Sequence, residues 1–127
     1  MKIEQLISPL DNRYNDKIAD LATNFSESNL NKVRFEIEIE WLIFLCSKGG
    51  KNFPALSKAN IKNLQALKNS FNEKSAKKVK SIEGKTNHDV KAVEYFIRDE
   101  LKKSSSLKRY EHLVHFALTS EDVNSLS

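Results

Sequence analysis

Residues 29–48 limit what this chain can fold into more than any other stretch. Read with a period of two, Val33, Phe35, Ile37, Ile39 and Trp41 alternate with Arg34, Glu36, Glu38 and Glu40, as in a half-buried strand. Read with a helical period, Leu30, Val33, Ile37, Trp41 and Phe44 form one stripe, and Phe35, Ile39, Leu42 and Cys46 widen it. The run is far longer than the average strand of about 5–6 residues. Ser28 or Asn29 offers a starting cap and Gly49-Gly50 a stop. Arg34 and Glu38 stand at the i,i+4 spacing of a helical ion pair. The expectation is a central buried helix, with an apolar surface broad enough to be covered by a neighbour or a subunit as well.

The rest of the chain repeats the helical spacing. Asn15 or Asp16 can cap a short helix with Ile18, Leu21, Ala22 and Phe25 on one side. After a linker marked by Pro54, Ser57 opens a helix carrying Ile61, Leu64, Leu67 and Phe71. A weaker helix spans about Glu73 to Ile82 and ends at Gly84. Val90, Val93, Ile97 and Leu101 mark another, and Leu107, Tyr110, Val114 and Ala117 one more beyond the polar break Ser104-Ser105-Ser106. Residues 3–14 are turn-rich and predicted non-helical. The fold class is therefore all-α, with five or more helices and no substantial sheet.

Composition narrows the function classes. A chain of 127 residues suits one packed unit, and 39% hydrophobic with 30% charged residues suits a globular domain. No apolar run approaches the roughly 20 residues of a spanning helix, and the first residues lack the apolar core of a signal peptide. The single Cys46 has no internal disulfide partner and lies in an apolar run, which fits a buried thiol in a reducing cytoplasm. Charge is uneven: residues 1–47 sum to −3 (5 basic, 8 acidic), 48–109 to +10 (16 and 6) and 110–127 to −3 (0 and 3). The basic middle admits a small helical nucleic-acid- or partner-binding module. Its lysines are spread around their helices with few aromatics between them, the pattern of a solvated surface.

Chemically capable side chains crowd into Lys85-Thr-Asn-His-Asp-Val-Lys-Ala-Val-Glu-Tyr-Phe96. Thr86 three residues before Asp89 resembles a capping box. Asn87, His88 and Asp89 then sit at a helix mouth, where free N–H groups favour an anion. His88, Lys91 and Tyr95 share a side distinct from the apolar one. Arg13 beside Tyr14 pairs a planar cation with a phenol, suited to a phosphate or nucleotide and equally to a structural ion pair. Thr119-Ser120-Glu121-Asp122 supplies hydroxyls and N–H groups at a helix start, a cradle for a carboxylate. That helix has barely begun at Ser127, so the sequence reads as cut. His112 and His115 have a metal-compatible i,i+3 spacing without a third ligand nearby, and no metal is expected. Gly-rich phosphate loops, internal repeats and a Ser/His/Asp arrangement are missing from the sequence.

Three segments together, Ser8-Pro-Leu-Asp-Asn-Arg-Tyr14, Lys85–Phe96 and His115-Phe-Ala-Leu-Thr-Ser-Glu-Asp-Val-Asn124, resemble in order and spacing the N-terminal part of the bacterial adenylosuccinate lyase family, in the fumarase/aspartase superfamily. The resemblance implies a cytoplasmic, mostly helical homotetramer whose sites draw on three subunits and need no metal or cofactor. It implies small-molecule partners (adenylosuccinate, AMP and fumarate), with no nucleic acid and no membrane. It places Arg13 and Tyr14 on the nucleotide, Asn87, His88 and Asp89 in a substrate-binding triplet with His88 assisting proton transfer, and Thr119 and Ser120 at the succinyl carboxylates. The family's general acid and its flexible catalytic loop would lie beyond Ser127. Residues 1–110 would form the N-terminal helical domain and 111–127 the start of the central bundle. Such a chain alone would be inactive.

Overall fold

The computed structural model describes residues 7–127. Residues 3–6 of the turn-rich opening, and the first residues read for a signal peptide, lie outside them. Six α-helices follow one another: α1 (Ala19–Phe25), α2 (Glu27–Lys48), α3 (Lys58–Lys68), α4 (Glu73–Thr86), α5 (Asp89–Lys102) and α6 (Ser120–Asn124). No strand occurs among the described residues. None of their helices is long and apolar enough to cross a membrane.

The long run is a helix, and it is the hub: α2 packs against α1, α3, α4, α5 and α6. Ser26, rather than Ser28 or Asn29, caps it by accepting the Asn29 N–H at 3.2 Å. At its other end the Gly49 N–H donates to the Leu45 carbonyl at 2.8 Å. A Cβ on Gly49 would lie 2.5 Å from that carbonyl and 2.5 Å from the Phe53 ring, so only glycine fits the stop. The inward face differs from the first stripe expected. Phe35, Ile39, Leu42, Leu45 and Cys46 are buried, together with Asn31, Arg34 and Glu38. Val33, Ile37 and Trp41 are only partly covered, and Leu30 and Phe44 are exposed. The expected Arg34–Glu38 pair does not form, because each side chain reaches a partner on another element.

Against that face pack Val93, Phe96, Ile97 and Leu101 of α5, Leu64 of α3, Val79 of α4 and Tyr110. Phe35, Phe71 and Phe96 meet with ring centroids 5.2–6.1 Å apart. Each such side chain contributes about 1.5–3 kcal/mol on burial, enough to hold α5 firmly through its own packing. The Tyr110 hydroxyl donates to the Ala55 carbonyl at 2.9 Å, fixing the loop before α3. Burial pushes the Cys46 thiol above its ordinary pKa, as expected of an unreactive core thiol.

Several local expectations need correction. Asn15–Lys17 and Pro9–Asp11 are single 3₁₀ turns, α1 starts only at Ala19, and Leu21 and Phe25 are exposed. α4 runs through Gly84 to Thr86. The stripe at Leu107–Ala117 is not an α-helix. Lys108–Leu113 is a 3₁₀ helix, which i,i+3 apolar spacing serves equally well, and a turn with two left-handed residues follows. His112 and His115 are consequently not neighbours on one α-helical face.

Candidate active site at two helix starts

Two residues separate α4 from α5. Asn87 is left-handed (φ 51°), and its N–H closes α4 on the Glu83 carbonyl at 2.8 Å. Asn tolerates that conformation better than most residues. His88 returns the backbone to the extended region and becomes the cap of α5, its ring Nδ1 accepting the Lys91 N–H at 3.2 Å. The expected Thr86–Asp89 capping box is not formed. Thr86 is the last residue of α4, and its Oγ1 lies 3.4 Å from the His88 nitrogen and 3.2 Å from the His88 carbonyl.

The capping bond fixes the imidazole's chemistry. An Nδ1 that accepts carries no proton, so the neutral ring holds its proton on Nε2. The nearer Asp89 oxygen stands 3.7 Å from Nδ1, too far to compete. His88 thus presents an Nε2–H donor on a half-exposed ring. The third member of the triplet is held elsewhere. Burial raises the Asp89 carboxyl, but the Val90 N–H, the Arg34 guanidinium at 2.8 Å and its own N–H outweigh that and keep it below its ordinary value. Lys91 is engaged too, on buried Glu94 at 2.7 Å with Arg98 on the other oxygen, and its ammonium lies 5.6 Å from the Tyr95 ring centre.

The start of α6 is built differently. Thr119 and Asp122 form a reciprocal capping box: the Thr119 N–H donates to Asp122 Oδ2 at 2.6 Å, and Thr119 Oγ1 accepts the Asp122 N–H at 3.4 Å. The Thr119 hydroxyl proton also goes to that carboxylate, at 2.8 Å. These bonds, the Thr119 backbone N–H first, hold Asp122 below the ordinary Asp value. Ser120 makes no side-chain hydrogen bond among the described residues and is partly exposed. Of the two hydroxyls, Ser120's is the free donor and Thr119's is committed to the cap.

One guanidinium links the start of α5 to the end of α6. Arg34, buried on α2, meets Asp89 through Nη2, donates from Nε to Asn124 Oδ1 at 3.1 Å, and from Nη1 to Asn31 Oδ1 at 3.4 Å. The structure thus joins the segments around 87–89 and 119–124. It does not join Arg13 and Tyr14 to them: both are exposed, the guanidinium 5.5 Å from its neighbour's ring centre. Among the described residues neither makes a hydrogen bond or ion pair with either helix start.

Sequence reasoning missed Arg34 and Asn124 as parts of this arrangement and weighed His115 only as a metal ligand. The available signal was a set of charged residues, Arg34 and Glu38, falling on the more buried stripe of α2, where charge is rare unless paired. A groove of about 630 Å³ lies beside the site, lined by Val33, Ile37, Trp41 and Phe44 of α2 with Leu118 and Leu126. It is predominantly apolar, whereas the donors just described are at the helix starts.

No family model matches the chain. It is 43% identical over 122 residues to the adenylosuccinate lyase of Escherichia coli K12, 43% to that of Haemophilus influenzae Rd, and 41% to that of Buchnera aphidicola from Schizaphis graminum. Each match covers 95% of this chain and 27% of the relative. Identity of that level runs across nearly the whole chain in three separate bacteria, and over the residues matched the chain is similar to about a quarter of the length of these adenylosuccinate lyases.

Proposed function

We propose that this chain contributes part of the active site of a cytoplasmic, homotetrameric lyase. The enzyme would eliminate fumarate from adenylosuccinate, giving AMP, and from the succinyl-carboxamide intermediate of purine synthesis. The observation that carries this is the pairing of 43% identity to a named adenylosuccinate lyase with the tie that Arg34 makes between the start of α5, at Asp89, and α6, at Asn124. The reaction is a β-elimination, in which a base removes a proton beside a carboxylate and an acid protonates the departing nitrogen. On this chain Ser120's hydroxyl and the nearby N–H groups would hold a succinyl carboxylate. His88 would donate from Nε2 to an anionic oxygen, and in that tautomer it assists rather than abstracts. Asn87 and Asp89 would complete the triplet, with Thr119 holding the cap in shape. Arg13, paired with Tyr14, would take the phosphate of the same nucleotide or of one bound in a neighbouring subunit's site. Residues 1–110 are proposed as the N-terminal domain and 111–127 as the start of the bundle.

The alternative of a basic nucleic-acid module gains little from the lysines. Lys68, Lys77, Lys78 and Lys80 each lie against a carboxylate, of Glu40, Glu73, Glu100 and of Glu27 with Glu83.

A chimera tests the proposal. The 127 residues replace the matching segment of the E. coli relative, and adenylosuccinate turnover is followed by the purine absorbance change. Turnover within about tenfold of the parent is expected, the size of one modest catalytic defect, while the 127-residue chain alone stays silent. A soluble, tetrameric chimera without activity would sink it.

A further inference from the structure

We propose that Glu38 and His115 are positioning residues, a buried carboxylate and an imidazole that hold the turn before α6 and thereby aim Ser120. The inference rests on the lyase reading for the use of Ser120, though not for the geometry. A helix as short as α6 cannot keep its own direction, since a single turn is marginal without outside support. Its direction comes from outside contacts: buried Val123 and the Arg34–Asn124 bond within it, and at its start the segment that precedes it. That segment is unusual: His115 (φ 64°) and Ala117 (φ 61°) both occupy the left-handed region, which disfavours residues with a Cβ.

Two side chains of α2, one turn apart, hold this turn. Glu38 Oε1 meets His115 Nδ1 at 2.5 Å, and the Trp41 indole N–H donates to the Phe116 carbonyl at 2.8 Å. Consecutive residues of the turn are thus fastened to one helix, and Thr119 and Ser120 follow within a few residues. The Glu38 side chain is fully buried, and among the described residues its Oε2 has no hydrogen-bond partner. Carboxylates are rarely left so unless paired. The other buried carboxylate of the core, Glu94, has Lys91 and Arg98. Among the described residues Glu38 has His115 alone, so what the fold gains from it is the bond to the turn.

The test uses three variants and two readouts. In the 127-residue chain, Glu38→Leu is expected to shift the Thr119, Ser120 and Asp122 amide resonances. Hydrogen exchange at Asp122 and Val123 should speed at least about tenfold, while α5 amides stay protected. Glu38→Gln, which still accepts from Nδ1–H, should restore both. Trp41→Phe, which keeps a ring but loses the donor, covers the case where the leucine variant does not fold, with the same amides moving to a smaller degree. In the chimera, Glu38→Leu should lower kcat/KM about 100-fold, the size of effect a displacement of about 1 Å can have, and Glu38→Gln should recover most of it. Unchanged α6 amides in Glu38→Leu, or equal losses for Leu and Gln, would overturn the proposal. An inactive unmutated chimera would instead remove the lyase reading, and the exchange data would still decide whether the pair holds α6.

Discussion

The starts of α5 and α6 face the same chemical problem and solve it with opposite resources. α5 is 14 residues long, buries seven of them, and has a one-sided cap from His88. α6 has five residues, buries only Val123, and has a reciprocal box at Thr119 with a turn fastened to α2. Where packing fixes a helix, its capping residue is free to be chosen for chemistry, and an imidazole can stand there although Ser, Thr, Asp and Asn are the usual caps. Where packing is thin, the cap must hold the structure. The hydroxyl of Thr119 is then consumed, and the next residue carries the free donor.

The most damaging way to break this comparison is to remove what both helices share. Arg34→Met should cost about 2 kcal/mol. That is below the 3–5 kcal/mol of a fully buried broken pair, because half-exposed Asp89 can be rehydrated. A urea melt measures it, and no change in midpoint would remove Arg34 as the link. Next comes Thr119→Ala, expected to cost about 1 kcal/mol and to speed hydrogen exchange in α6 with α5 untouched. Equal loss in both helices would erase the asymmetry.

His88→Ala should cost less, about 0.5–1 kcal/mol, since α5 stands on its packing. Activity should reverse that order: in the chimera the same change is expected to lower kcat/KM about 100-fold, the lower end for an assisting acid–base or orienting group. Near-normal kinetics would make His88 a cap and nothing more. The smallest effect is that of acid. Asp122 and Asp89 are both held below the ordinary Asp value, so their stabilisation is present above about pH 4 and lost as pH falls through their folded values. Glu38, raised chiefly by burial and only partly offset by His115, has the opposite sign and loses its contribution as pH rises through its folded value. Between pH 5 and pH 2 the Thr119 amide should move as its acceptor is protonated.

Helix existence was legible because caps and stops are local: Ser57, Gly49 and the Val90–Leu101 stripe act within a few residues. Which face of α2 turns inward was not. Both stripes are apolar, and the buried one contains Arg34 and Glu38, whose charges argue against burial until their partners are known. Those partners lie 55 residues away at Asp89, 90 at Asn124 and 77 at His115, whereas i,i+4 spacing offered each the other. The turn at 114–118 was hidden for a related reason, since nothing in Leu107–Ala117 forbids a helix and its left-handed residues are not glycines. The motif residues of the site were visible in the sequence, but the buried side chains that align them were not.

Asn87 has a consequence for genetics. Its left-handed backbone ends one helix and lets His88 begin the next, while its side chain belongs to the proposed triplet. An alanine scan at this position would strain the junction and delete the amide in one stroke, so a loss of activity could not be assigned to either. Glycine removes the amide and keeps the turn, and aspartate keeps a similar shape with a different charge. Only that pair of alleles separates what the codon contributes to the hinge from what it contributes to the chemistry.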